Sequence, residues 1–129
     1  MKEKIARVII AGGRDFNDYE LLQEKVDYYL STVISQGYKI IIVSGTAKGA
    51  DKLGERYAAE KGYEIAYFPA DWASHGKRGG YLRNQEMAKY AKEENHGALI
   101  AFWNGSSKGT KHMIDIAKKD RLKVRVVNY

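Results

Sequence analysis

Five apolar runs alternate with helix-spaced patterns from end to end, and that alternation restricts the fold more than any other feature of the chain. Ile5 to Ala11, Lys39 to Val43, Glu64 to Phe68, Ala98 to Trp103 and Val124 to Val127 all have strand length. The second and fourth are nearly continuous hydrophobics, as expected of strands covered on both faces. Leu22, Val26, Leu30, Val33 and Ile34 repeat at helical spacing, with Asn17 and Glu20 as a capping pair and Phe16 and Leu21 as a hydrophobic staple. Ala50, Leu53, Tyr57 and Ala58 trace a second helix that Gly62 stops. A third helix is expected over Gly80 to Glu94. A fourth is expected over Gly109 to Lys119, with Met113, Ile114 and Ala117 turned inward. Short links between such elements imply right-handed crossovers and an open, mostly parallel sheet. The expectation is an α/β, three-layer, Rossmann-like fold with strand order 3-2-1-4-5, residues 1–129 forming one domain.

Composition narrows the class. With 44% apolar and 29% charged residues, the 129-residue chain has typical globular usage and no repeat, linker or low-complexity tract. No stretch approaches the length of a membrane span. The start, Met1-Lys2-Glu3-Lys4, leads into a strand and lacks the pattern of a signal peptide. Cysteine is absent, which excludes disulfides and thiolate metal sites and fits a cytoplasmic protein. The net charge of +6 suits an anionic partner and equally suits simple solubility.

The glycines are placed, not scattered. Gly12-Gly13 follows the first strand, Gly45 and Gly49 the second, and Gly105 and Gly109 the fourth. In the expected strand order these three turns are neighbours at the switch point, where open α/β sheets bind ligands. Ser44, Thr46 and Lys48 add hydroxyls and a cation to a helix start at about Gly49, which suits a phosphate. The plainer reading is a tight strand-to-helix turn with Thr46 as its N-cap. Neither Gly45–Gly49 nor Gly105–Gly109 has Walker A spacing, and no GxGxxG follows the first strand. Pro69 closes the third strand and opens the longest irregular stretch, residues 70–80.

Four motifs, Gly12-Gly13-Arg14-Asp15-Phe16, Ser44 to Asp51, Arg83-Asn84-Gln85-Glu86-Met87-Ala88 and Lys108-Gly109-Thr110, resemble the SLOG superfamily, in particular its YspA-like, cpYpsA-related domains. More distantly they are similar to LOG-type phosphoribohydrolases and the DNA-processing protein A family. The resemblance implies a nucleotide or nucleotide-derived ligand, with Gly12, Gly13 and Arg14 on its first turn. Ser44, Gly45, Lys48 and Gly49 then belong to the second turn, Gly109 and Thr110 to the phosphate-binding Gly-Thr, and Arg83 to the LOG-type arginine. It also implies dimers among relatives. One departure is clear. LOG-type enzymes carry Gly-Thr-x-x-Glu, whereas this chain reads Gly109-Thr110-Lys111-His112-Met113, and Met113 can neither move a proton nor stabilise a cationic centre.

The remaining candidates carry two readings each. Arg14 clamps a phosphate or pairs with Asp15 or Asp51. Asp51, in a first helical turn, meets a ribose hydroxyl or an arginine. Arg83 contacts ligand or forms a buried ion pair. Trp72, Lys77 and Arg78, with His75, form a lid that stacks a base, or a solvated basic loop with Trp72 folded on the core. His75, His96 and His112 are too dispersed for a metal site, and neither metal nor cofactor is expected. The expected function is binding at the carboxyl edge of the sheet by Gly12, Gly13, Arg14, Ser44, Gly45, Thr46, Lys48, Gly49, Asp51, Arg83, Asn84, Lys108, Gly109 and Thr110, as a sensor or sequestering module. The alternatives are a nucleotide-processing hydrolase, with Arg83, Asp51 and Glu86 as candidate catalytic residues, and a single-stranded DNA-binding protein.

Overall fold

A computed structural model of the chain describes residues 3–129, so Met1 and Lys2 of the N-terminal reading lie outside the described residues. The elements run β1 (Ile5–Gly12), α1 (Tyr19–Ser35), β2 (Lys39–Ser44), α2 (Ala50–Lys61), β3 (Glu64–Tyr67), α3 (Trp72–His75), α4 (Arg78–Lys92), β4 (His96–Trp103), α5 (Lys108–Lys119) and β5 (Lys123–Asn128). The sheet order is β3-β2-β1-β4-β5, every pairing parallel, as the alternation of elements implies. No helix among the described residues is long and apolar enough to cross a membrane.

Successive side chains of a strand leave opposite faces, and the two helical layers divide them accordingly. Ala6, Val8 and Ile10 of β1, with Ile40, Ile42, Ile100 and Phe102, pack under α1 and α2. Ile9 and Ala11, with Val43, Leu99 and Ala101, pack under Met87, Ala88 and Ala91 of α4 and Met113, Ile114 and Ala117 of α5. Each such large aliphatic side chain contributes about 2 kcal/mol on burial, so the central strands β2, β1 and β4 anchor the molecule. Their carboxyl-end turns rest on that rigid base. Arg7, which the sequence reading passed over, fixes the far end of α4. It lies over the Tyr90 ring, donates to the Tyr90 carbonyl at 2.7 Å and reaches Glu93 at 3.0 Å.

Two local expectations are corrected. The N-cap of α1 is Asp18, whose Oδ1 accepts from the Leu21 amide at 3.0 Å, not Asn17 paired with Glu20. Both residue types cap helices, and Phe16, buried in the core, stacks on Phe102 at 4.8 Å in the cluster that Leu21 packs against. The stretch after Pro69 is also not wholly irregular. Asp71 caps the single turn α3 by accepting from the Ser74 amide, Gly76 (φ +54°) ends it, and α4 starts at Arg78, two residues before the expected Gly80.

Candidate functional site

The turns after β1, β2 and β4 touch one another through bare backbone. The Gly13 amide donates to the Phe102 carbonyl at 3.0 Å, and the Ala50 amide donates to the Gly13 carbonyl at 3.2 Å. A Cβ on Gly49 would lie 2.2 Å from the Gly13 oxygen, and one on Gly12 would lie 2.2 Å from the Phe102 oxygen. Gly49 therefore allows two loops to meet, and it lines no cavity.

A cavity of about 560 Å³ opens where these turns converge. Gly12, Gly13, Arg14 and Asp15 form one side, and Asn104, Ser107, Gly109 and Thr110 the opposite side. Gly80, Tyr81, Asn84 and Met87 come from one face of α4, their helical spacing setting them side by side, and Lys77 precedes the helix on the same side. Ala47 and Asp51 reach it from the β2 side. Ser107 is the N-cap of α5: its Oγ accepts from the Thr110 amide at 3.4 Å and lies 3.1 Å from the Thr110 hydroxyl. Asn104 Oδ1 accepts from the Ser106 and Ser107 amides at 2.9 Å, which shapes the turn into that cap. The first-turn amides of Lys108 and Gly109 have no intrahelical partner and lie beside the cavity wall at Gly109, where they favour an anion. Met113 lines the same cavity. Where the resemblance would set a glutamate, the wall is thus a thioether with no proton to give.

Arg83 is held from two sides. Its Nη1 donates to the Gly45 carbonyl, and its Nε donates to Asn84 Oδ1 at 3.1 Å. Asn84, itself buried, lies with Nδ2 3.1 Å from His112 Nδ1 and 3.4 Å from the Gly109 carbonyl that accepts from it. That contact requires His112 Nδ1 to be the unprotonated acceptor, and burial lowers the His112 pKa in the same direction. Asp51 is 5% exposed and accepts from the Ala47 amide at 3.1 Å. Burial pushes its pKa up to about 6, against the pull of that amide and of the nearby Arg83 and Arg14. Burial likewise lowers Arg83, with the charge of Asp51 opposing. Gly45 makes this arrangement fit, because a Cβ there would lie 2.7 Å from Arg83 Nη1 and 2.8 Å from Asp51 Oδ2.

Trp72 neither joins the core nor swings free. It is 48% exposed, its ring lies against Gly79 and Gly80, and the Arg14 guanidinium stands 5.9 Å from its centroid. Arg14 makes no ion pair among the described residues, and Asp15 instead accepts from the Tyr129 hydroxyl at 2.6 Å. On the other side of Trp72 and Arg14 is a smaller cavity of about 260 Å³, bounded by Gly45, Thr46, Lys48 and Pro69.

Several expected residues fall outside both cavities. Ser44 is turned inward, donating to Glu55 at 2.6 Å and accepting from the Thr46 amide at 3.0 Å. Thr46 does border the smaller cavity, but it has φ +66° and caps nothing; the N-cap of α2 is Gly49, without a side-chain bond. Lys108, Arg78 and Glu86 are exposed and line neither cavity. Glu86 precedes Met87 by one residue, and that rotation of about 100° takes it off the cavity face. Tyr81, Asn104 and Ser107 were not foreseen as site residues. The helical spacing from Tyr81 to Asn84, and the three-residue step from Ser107 to Thr110, are the sequence signals that could have found Tyr81 and Ser107. Among the described residues no cluster of His, Asp and Glu gathers that would hold a metal ion.

Comparison with known proteins gives the family and the fold. Residues 6–75 match the YspA, cpYpsA-related SLOG family, the span that contains β1 through α3 and both glycine turns of β1 and β2. The chain belongs to this SLOG family. Among relatives, it is 32% identical over 118 residues to the Gene 61 protein of Mycobacterium phage D29, covering 88% of this chain and 89% of that one. Among solved structures, the X-ray structure of DNA processing protein A from Streptococcus pneumoniae superposes with a TM-score of 0.66 at 16% identity, covering 95% of this chain. This SLOG chain spans 50% of that structure's length, and the likeness is one of fold.

Proposed function

We propose that this SLOG domain binds a nucleotide or nucleotide-derived ligand at the carboxyl edge of its sheet, as a sensor or sequestering module. The observation that carries this reading is the cavity of about 560 Å³ bounded by the N-terminus of α5 on one side and Arg14 on the other. Such a site offers amide donors and a cation to a phosphate. Trp72, Tyr81, Met87 and Met113 add flat or polarisable surface for a base.

The test is calorimetry against the common nucleoside monophosphates with Arg14→Ala and Gly109→Val. A Cβ at Gly109 meets nothing within 4 Å, so the fold should stay intact and gain about 0.5 kcal/mol from the better helix former. Affinity should fall about tenfold or more in each variant, since one charge-assisted contact is worth about 1.5–3 kcal/mol. Unchanged affinity in both variants would remove the site.

Two rival readings have observations of their own. Asp51, facing the cavity with its pKa at about 6, is suited to acid–base work on the ligand. Chromatography after incubation with the panel distinguishes turnover from stoichiometric recovery. The likeness to a DNA processing protein favours single-stranded DNA, for which affinity should grow with oligonucleotide length and fall steeply with salt.

A further inference from the structure

The cavity of about 260 Å³ has a composition that one phosphate does not explain. Arg14, Lys48 and Arg83 line it, and no carboxylate does, whereas the larger cavity contains Asp15 and Asp51. The two cavities share Arg14, Ala47, Trp72 and Arg83 as a common wall, so they are adjoining compartments of one cleft. Two backbone amides of the 44–49 turn are already taken within the chain. The Thr46 amide is taken by Ser44 Oγ at 3.0 Å, and the Ala47 amide by Asp51 Oδ2 at 3.1 Å. What the smaller compartment presents is side-chain charge. Arg83 has two bonds within the chain, through Nη1 and Nε, and Nη2 makes none among the described residues. Lys48 is exposed at the rim and makes no ion pair among the described residues.

Three cations around a polar pocket repel one another; Asp51, behind Gly45, offsets part of the charge of Arg14 and Arg83 but none of Lys48 at the rim, and the remaining cost falls when an anion enters. We infer that the ligand carries two anionic groups, one at the N-terminus of α5 in the larger compartment and one among Arg14, Lys48 and Arg83 in the smaller. This inference rests on the nucleotide-binding reading above and narrows it. The ligand class is a nucleoside bearing a di- or triphosphate, or a pyrophosphate-linked group, in place of a monophosphate. Arg14 and Arg83, standing in the shared wall, contact the bridge between the two anions.

The experiment is calorimetry of the full chain against the mono-, di- and triphosphates of the four common ribonucleosides, in the wild type and in Lys48→Ala. Lys48 is exposed, so the variant should fold; far-ultraviolet circular dichroism checks this. The expected result is a di- or triphosphate binding at least tenfold tighter than its own monophosphate, with Lys48→Ala erasing that advantage. Equal affinity for mono- and diphosphate, or an advantage that survives in Lys48→Ala, overturns the two-anion ligand and leaves the nucleotide site standing. Binding of none of the twelve compounds overturns both. A ten-residue oligodeoxynucleotide binding more tightly than every triphosphate overturns the small-molecule ligand in favour of single-stranded DNA.

Discussion

Replacing Gly49 by alanine should lower stability by about 4 kcal/mol, well beyond the effect of alanine at a turn glycine with open space before it, such as Gly62. Gly49 has φ +80° and ψ −127°, a conformation that costs an L-residue about 1–3 kcal/mol. A Cβ there would also stand 2.2 Å from the Gly13 oxygen and 2.7 Å from the Arg14 carbonyl carbon. Those atoms are backbone and cannot swing aside. The Gly13 carbonyl accepts from both Ala50 and Phe16, so moving it weakens two hydrogen bonds worth about 1 kcal/mol each. Gly62 is the control. Its φ is +75°, its Cβ would meet nothing within 4 Å, and Gly62→Ala should cost only the left-handed penalty of about 1 kcal/mol. Urea unfolding of the two variants beside the wild type measures the difference. Equal losses would mean that the β1 and β2 turns do not press together as described.

The same residue shows where sequence reading succeeds and where it stops. The order of strands was legible because unbroken apolar runs at Lys39–Val43 and Ala98–Trp103 are affordable only inside a sheet covered on both faces. The convergence of the three turns followed from that order. What the turns do was not legible. A glycine that lets a phosphate approach backbone and a glycine that lets backbone approach backbone are identical letters, and Gly49 is the second kind while Gly109 has open space before it. Ser44 poses the same ambiguity: its hydroxyl suits a ligand, yet Glu55, eleven residues on in α2, takes it. The α4 wall was half visible. Arg83 and Asn84 were read from the resemblance, but Tyr81 belongs to the cavity through a helix start that Asp71 and Gly76 shift two residues earlier.

Asp51→Asn should stabilise the protein by an amount that grows as pH rises from about 4 to about 6 and is complete above that. The Asp51 carboxyl has a pKa of about 6 in the fold, raised chiefly by burial from the ordinary 3.8. For an acid whose folded pKa lies above its unfolded value, the unfolded chain gives up its proton first. Stability is therefore greatest below pH 3.8, declines as pH rises toward 6, and is level beyond. At about 1.4 kcal/mol per pKa unit, the ionised carboxylate is costlier in the fold by about 3 kcal/mol. Asparagine keeps an oxygen for the Ala47 amide and carries no charge, so the variant should be more stable by about 1–3 kcal/mol at pH 8. At pH 4 it should match the wild type within about 0.5 kcal/mol. Urea unfolding at pH 4, 6 and 8 traces both curves. A variant destabilised at pH 8 would instead place a functional ion pair between Asp51 and Arg83. The buried carboxylate also bears on the ligand. Next to Arg14 and Arg83 it offsets cationic charge that a phosphate would otherwise use, so Asp51→Asn should tighten phosphate binding at pH 8 if Asp51 only balances the arginines. If it accepts a ligand hydroxyl instead, the same variant gains stability and loses affinity, the exchange of stability for function expected where a buried charge serves binding.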